Sequence, residues 1–139
     1  INLRGFRLEL RKRSGDTERE SGHLLIELMN ENRLYHDMGI AKYYATRGKL
    51  TNLDAVLWGH TALTYASQEG HFDIIEALLA AGADKNKSGG SNGYTPLIHA
   101  AHRGHVECLK ALLSAGAAKD KASERGGTAL SVTPSHRLS

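Results

Sequence analysis

The sequence predicts an all-α fold, an α-solenoid of stacked helix–turn–helix repeats joined by hairpin-like loops, with an irregular helical part at the N-terminal end. Three observations predict it. The chain repeats itself with a fixed period, each repeat carries two apolar stripes at helical spacing, and a glycine closes each stripe.

Shifting the sequence so that Gly59 falls on Gly93 lays Gly59-His60-Thr61-Ala62-Leu63 over Gly93-Tyr94-Thr95-Pro96-Leu97. The match runs on through Ala66/Ala100, Gly70-His71/Gly104-His105, Ala77-Leu78-Leu79/Ala111-Leu112-Leu113 and Ala81-Gly82-Ala83/Ala115-Gly116-Ala117. Over residues 59–87 there are 14 identities in 29 pairs, against roughly two expected from average residue usage. Duplication is the economical explanation. A further step of nearly the same length carries Gly93, Thr95 and Leu97 onto Gly126, Thr128 and Leu130, so a third repeat begins. Pro134 then interrupts its first helix, because proline removes a backbone donor and clashes with the preceding turn.

In chain order, residues 1–16 read as a basic extended arm or short strand, since Phe6, Leu8 and Leu10 alternate with Arg7, Glu9 and Arg11. Residues 17–58 read as N-terminal helices. Leu24-Leu25-x-x-Leu28-Met29 has the stripe of a helix over about 17–34, and residues 40–58 resemble a degenerate repeat. There Gly48 aligns with Gly104, Leu53 with Leu109, and Val56-Leu57 with Leu112-Leu113, which places 53–57 in a second helix. Only Trp58 to His60 then separates that helix from Thr61, too few residues for the usual loop. Repeats follow at 59–92 and 93–125. Thr95 is a good N-cap, and Pro96 sits at the first helical position where its missing N–H costs nothing. Leu97, Ala100 and Ala101 line the first helix, Gly104 ends it, and Cys108, Leu109, Leu112 and Leu113 stripe the second. Residues 126–139 are a truncated repeat and a polar tail.

Composition narrows the function classes. The chain has 139 residues, a net charge of +3, 40% hydrophobic and 24% charged residues. That is an ordinary globular composition. Its longest apolar stretch, Ala77 to Ala81, is far below the ~20 residues of a membrane span, and arginines interrupt every apolar run near the start. The basic residues alternate with acidic ones, so no concentrated positive field addresses phosphate. Cys108 is the lone cysteine; it excludes an internal disulfide and favours a reducing compartment. An intracellular, cytoplasmic location is expected, with the nucleus as the other setting. Residue 1 is isoleucine, which reads as an excerpt of a longer chain.

The stretch from Gly93 to His105, ending in Leu112-Leu113-Ser114-Ala115-Gly116-Ala117, resembles the ankyrin-repeat signature. The resemblance covers residues 59–130. Ile98 stands where the family has histidine, and the loops at 85–92 and 119–125 lack the common aspartate before Gly-x-Thr. These departures imply looser hairpin fingers. The family's use of its concave face implies a protein-binding adaptor or scaffold whose contact residues are Trp58, His60, Gln68 and Glu69, then Ser91, Asn92, Tyr94, His102 and Arg103, then Glu124 and Arg125. Trp58, Tyr94 and Arg103 head that set as favoured hot-spot types. Trp58 equally suits a plug for the compressed junction.

His99, His102, His105 and Cys108, spaced by three, have the side-chain types that bind zinc. Gly104 breaks the helix between them, His105 belongs to the Gly-His turn, and Cys108 replaces Ile74 in an apolar stripe, so scaffold roles are expected and no metal or cofactor. Ser88-Gly89-Gly90-Ser91 lies in an inter-repeat loop, not in a phosphate cradle. No Ser/His/Asp or Cys/His set has independent support, so neither an enzyme nor a small-molecule substrate is expected. The partner is another protein, neither membrane nor nucleic acid. The alternatives are a regulatory domain or fragment of a larger multidomain protein, and a weak nucleic-acid binder acting through the basic arm.

Overall fold

Repetition in the sequence becomes repetition in the backbone. The structure is a computed structural model that describes residues 25–30 and 53–132. Its helices are α1 (residues 25–30), α2 (Ala62–Glu69), α3 (Phe72–Ala80), α4 (Pro96–Arg103), α5 (Val106–Ser114) and α6 (Ala129–Val132), with a tight turn at Ser91–Gly93. Among the described residues there is no strand, and the β-pairing is one isolated bridge between Leu57 and His60. No helix among them is long and apolar enough to cross a membrane.

Each helix starts and stops for local reasons. Thr61 caps α2: its hydroxyl accepts the Thr64 N–H at 3.1 Å, and the Thr64 hydroxyl accepts the Thr61 N–H at 2.9 Å. Thr95 caps α4 by accepting the Ile98 N–H at 3.2 Å, but Ile98 has no hydroxyl to return, so half of the box is lost. Ser131 restores it in α6, accepting the Thr128 N–H at 2.8 Å. Gly70 and Gly104 end α2 and α4 in the left-handed conformation, at φ 81° and 75°. The second helices α3 and α5 have no side-chain cap but carry Asp73 and Glu107 in their first turns, where negative charge suits the helix dipole. Both close alike, with Ala83 N–H donating to the Leu78 carbonyl and Ala117 N–H to the Leu112 carbonyl, each at 3.0 Å.

Packing follows the repeat. First helices stack on first helices, α2 on α4 and α4 on α6, while α3 stacks on α5. Leu63, Ile74, Ile75 and Leu78 of one unit and Leu97, Ile98 and Leu112 of the next are essentially fully buried. Neither pair covers its own stripe, so each shields the other from water. Leu25, Ile26, Leu28 and Met29 of α1 join the same core, and the Tyr65 hydroxyl donates to Asn30 Oδ1 at 3.2 Å. Truncating one of these leucines to alanine removes about 2–5 kcal/mol.

Two expectations need correction. Residues 53–57 are not a second helix: Leu53 and Asp54 form a turn, and Leu57 and His60 close a tight hairpin, each donating its N–H to the other's carbonyl (2.9 and 3.0 Å). The reason lies at the hairpin tip. Trp58 and Gly59 both take positive φ, 53° and 78°, the geometry of a tight hairpin turn. Asn92 and Gly93, one repeat later, do the same at 72° and 63°. A shortened finger therefore does fit before Thr61, and the apolar Val56-Leu57 pair belongs to that finger.

Nor are the fingers loose. Without the family aspartate, other groups hold them. Asp54 Oδ1 accepts the Asp84 N–H at 2.7 Å and the Asp54 carbonyl accepts from Lys87 Nζ at 2.7 Å. One repeat later, Asn86 Oδ1 accepts the Ala118 N–H at 2.8 Å and its carbonyl accepts from Lys121 Nζ at 2.7 Å. The extended arm at 1–16, the expected strand of Phe6 to Leu10, the rest of the 17–34 helix, the first part of the degenerate repeat and the tail from Thr133 lie outside the described residues.

Candidate partner-binding face

First helices stack on first helices from one repeat to the next, which sets the residues just before each N-cap in register, and likewise those at each first-helix C-terminus. The fingers rise beside them. Trp58 sits at the finger tip, 59% exposed. At that exposure it is not a buried plug, and the Leu57–His60 hairpin closes the junction. Asn92 is exposed at the equivalent tip, and the Ser91 backbone opens the same turn. His60, Gln68, Glu69 and Tyr94 are half-buried, whereas His102, Arg103, Glu124 and Arg125 are exposed.

Four aromatic contacts run along these units, and one of them, His60 with His99, joins the two repeats. His60 meets Tyr65 edge-on at a centroid distance of 5.5 Å and His99 at 5.6 Å. Tyr94 meets His99 at 5.3 Å and His102 at 5.6 Å, both edge-on. The result is a ring ladder, Tyr65–His60–His99–Tyr94–His102, that crosses the junction between repeats. Edge-to-face contacts of this kind add about 0.5–1.5 kcal/mol each beyond burial. The structure thus joins His60, Tyr94 and His102 and ties Glu124 to the Asn92 finger, its N–H donating to the Asn92 carbonyl at 3.2 Å, while Trp58 stands at its own tip and Arg125 lies in the next loop.

Sequence reasoning missed Tyr65 and His99 as members of this face. Their signal was present, since they occupy the same position in successive repeats and both carry planar rings. His99 is only 4% exposed and its Nε2–H donates to the Gly89 carbonyl at 2.6 Å. That bond pins the finger to α4. Gly90 completes the closure by donating its N–H to the Gly59 carbonyl at 2.7 Å. A side chain at Gly90 would stand 2.6 Å from the His60 ring, at a φ of 86°, so both space and backbone demand glycine.

Burial sets the charge of the ladder. It pushes the His99 imidazole down to about 4, only partly opposed by the Gly89 carbonyl. Burial also lowers His60, against the attraction of Glu69. Both rings are therefore neutral near pH 7, and the exposed positive charge of this side comes from Arg103 and Arg125. The face can offer ring edges, amide and imidazole hydrogen bonds and guanidinium groups to a partner.

The four residues weighed as zinc ligands point to separate neighbours. His99 holds Gly89, His105 donates Nε2–H to the Gln68 carbonyl at 3.0 Å, and His102 packs on Tyr94. Cys108 is 2% exposed in the core, and burial followed by the nearby Glu107 raises its thiol to about 11. Among the described residues no group of three or more His, Cys, Asp or Glu is arranged to hold a metal.

Comparison with known proteins agrees with this architecture. The family model described as ankyrin repeats (3 copies) matches residues 24–124, close to three quarters of the chain. No curated protein matches it.

Proposed function

The chain belongs to the ankyrin-repeat family, generally modules of protein–protein interaction, and from that premise we propose that it is an adaptor that docks a partner protein on the first-helix side and finger tips. Trp58, Tyr94 and Arg103 are its anchors, with His60, Gln68, Glu69, Asn92 and His102 around them and Ser91, Glu124 and Arg125 at the border. The family matched is a binding module, not a catalytic one.

The ring ladder across the repeat junction carries this reading. Two repeats that merely stacked would need no aromatic contacts between their finger sides, because the leucine core already joins them. Linking Tyr94 directly to His102, and to His60 through the buried His99, fixes side chains that a partner would otherwise have to order on binding. Such ordering costs about 0.5–1.5 kcal/mol per side chain, and preorganisation removes that cost. Arg103 and Trp58 then supply a charge and a large apolar surface at the edges of the fixed patch. An intracellular setting suits the module, since Cys108 is a free buried thiol.

The test is affinity capture from a cell extract with the parent chain and with Tyr94→Ala/Arg103→Ala. The parent retains a protein that the double variant loses, with helical circular dichroism unchanged. Equal capture by both chains would remove this face from the function.

A further inference from the structure

The tip of the second finger carries a reactive pair. Asn92-Gly93 is the one Asn-Gly step in the sequence, and Asn92 is exposed. The side-chain amide of an asparagine can be attacked by the backbone nitrogen of the next residue, which closes a succinimide ring. Glycine in the next position leaves that approach open, since it has no Cβ to crowd the ring.

The fold holds the pair out of line. Both residues have positive φ, 72° and 63°, and at Asn92 ψ is 4°. With ψ near zero the Gly93 nitrogen eclipses the backbone nitrogen of Asn92 and faces away from its side chain. Attack requires the peptide between them to rotate until that nitrogen meets Asn92 Cγ, and intramolecular reactions depend steeply on such alignment. The same rotation swings the Asn92 carbonyl, which accepts the Glu124 N–H at 3.2 Å. The following loop thereby latches the tip. Glu124 guards it in a second way, because a Cβ on Gly93 would stand 2.7 Å from Glu124 Cγ and 3.1 Å from its Oε1. Its carboxylate lies close to the peptide nitrogen that must lose a proton to attack, and one negative charge opposes the other.

We propose that Asn92 is a self-modification site, an amide that the Glu124 latch keeps from becoming aspartate or isoaspartate until the tip opens. In the open tip the Gly93 nitrogen gives its proton to hydroxide and bonds to Asn92 Cγ. The bond from Cγ to the side-chain nitrogen breaks, and that nitrogen leaves as ammonia, taking a proton from water. Water then adds to the succinimide. Addition at Cγ cleaves the new bond and leaves aspartate; addition at the α-carbonyl cleaves the old one and leaves isoaspartate. One water is consumed and one ammonia released. Either product carries a carboxylate beside that of Glu124, and isoaspartate lengthens the backbone of a tight turn. The finger that seats Tyr94 is loosened, so conversion weakens the partner-binding face, a consequence that rests on the role proposed above.

The test compares the folded full chain with a free peptide of residues 88–103 in the same buffer, pH and temperature. Trypsin cuts the chain after Lys87 and Arg103, and Asn92 is the only side-chain amide in that fragment. Its mass therefore reads conversion, whatever partner the face takes, and chromatography separates aspartate from isoaspartate. The peptide should convert about tenfold or more faster than the folded chain, since a hydrogen bond and a fixed turn must yield first. Glu124→Gln keeps the latch and removes the charge, and should speed the folded chain about two- to fivefold. Glu124→Pro removes the N–H as well. It follows Ser123 in a turn closed by the Gly126 N–H on the Ser123 carbonyl at 2.9 Å, a place where proline is favoured. This variant should convert faster than Glu124→Gln and approach the peptide, with helical circular dichroism unchanged. Equal rates in the folded chain and the peptide, or in Glu124→Pro and the parent, would overturn the latch. A folded chain that never converts while the peptide converts fully would overturn the site.

Discussion

The His105 ring lies directly over Gly70 of the preceding repeat: a Cβ on Gly70 would stand 2.8 Å from two of its atoms. The ring cannot swing away freely, because its Nε2–H donates to the Gln68 carbonyl. One side chain therefore satisfies the end of α2 and fixes the spacing between repeats.

That relationship can be isolated by mutation. Gly70→Ala meets both the left-handed backbone penalty and the pinned ring, and should lose about 2–3 kcal/mol. Gly82→Ala is the control, since Gly82 has φ 91° but nothing within 4 Å of the added carbon; it should lose about 1 kcal/mol. In a His105→Ala background the cost of Gly70→Ala should fall to that of Gly82→Ala. Urea denaturation of the parent, the single variants and the double variant measures this, and equal costs for Gly70→Ala in both backgrounds would dismiss the contact.

Stability should fall in mild acid. His99 has its folded pKa lowered to about 4, below the ordinary 6.5. Between those values the unfolded chain binds a proton that the folded chain refuses, so unfolding gains as pH drops from 6.5 towards 4, and above 6.5 this group contributes no slope. The loss is up to about 3 kcal/mol. His60 and His71, also lowered by burial, act in the same direction. Gln at position 99 can still donate to the Gly89 carbonyl but does not titrate. His99→Gln should therefore flatten the pH dependence of the urea midpoint between 4 and 6.5, and an unchanged slope would assign it to other groups.

Cys108 should be inert in the folded chain. At 2% exposure and with its thiol raised to about 11, it holds about a hundredfold less thiolate than an ordinary cysteine at pH 8. Iodoacetamide labelling followed by mass spectrometry should be slow in buffer and complete in urea. Rapid labelling of the native chain would contradict the packing of α5.

What the sequence made legible was local. Thr61 and Thr95 as caps, Gly70 and Gly104 as stops and the two leucine stripes all depend on neighbours within one turn, so their patterns survive in one dimension. The finger at 53–60 was hidden because Val56-Leu57 imitates the Leu112-Leu113 stripe, and periodicity over so few residues cannot separate helix from hairpin. The decisive groups there act at a distance: Asp54 receives the backbone N–H of Asp84, a whole repeat away along the chain. His99 was hidden for a similar reason. Its spacing to His102, His105 and Cys108 drew attention along the chain, whereas its partners, Gly89 and His60, belong to the preceding unit.

Trp58 links stability to function most directly. A bulky side chain at φ 53° occupies a region that costs about 1–2 kcal/mol for residues other than glycine and, less severely, asparagine. The chain itself supplies the alternative, since Asn92 takes the same role at the next finger tip with φ 72°. Trp58→Asn should therefore raise the unfolding free energy by about 0.5–1 kcal/mol, because the exposed indole contributes little packing in exchange. If Trp58 is held in this strained conformation to present its ring to a partner, the same substitution should lower partner capture while the protein melts higher. Thermal denaturation gives the first quantity and affinity capture the second. A variant that melts higher and still captures its partner fully would remove Trp58 from the anchors. One that melts lower would mean that the indole packs against the fold after all.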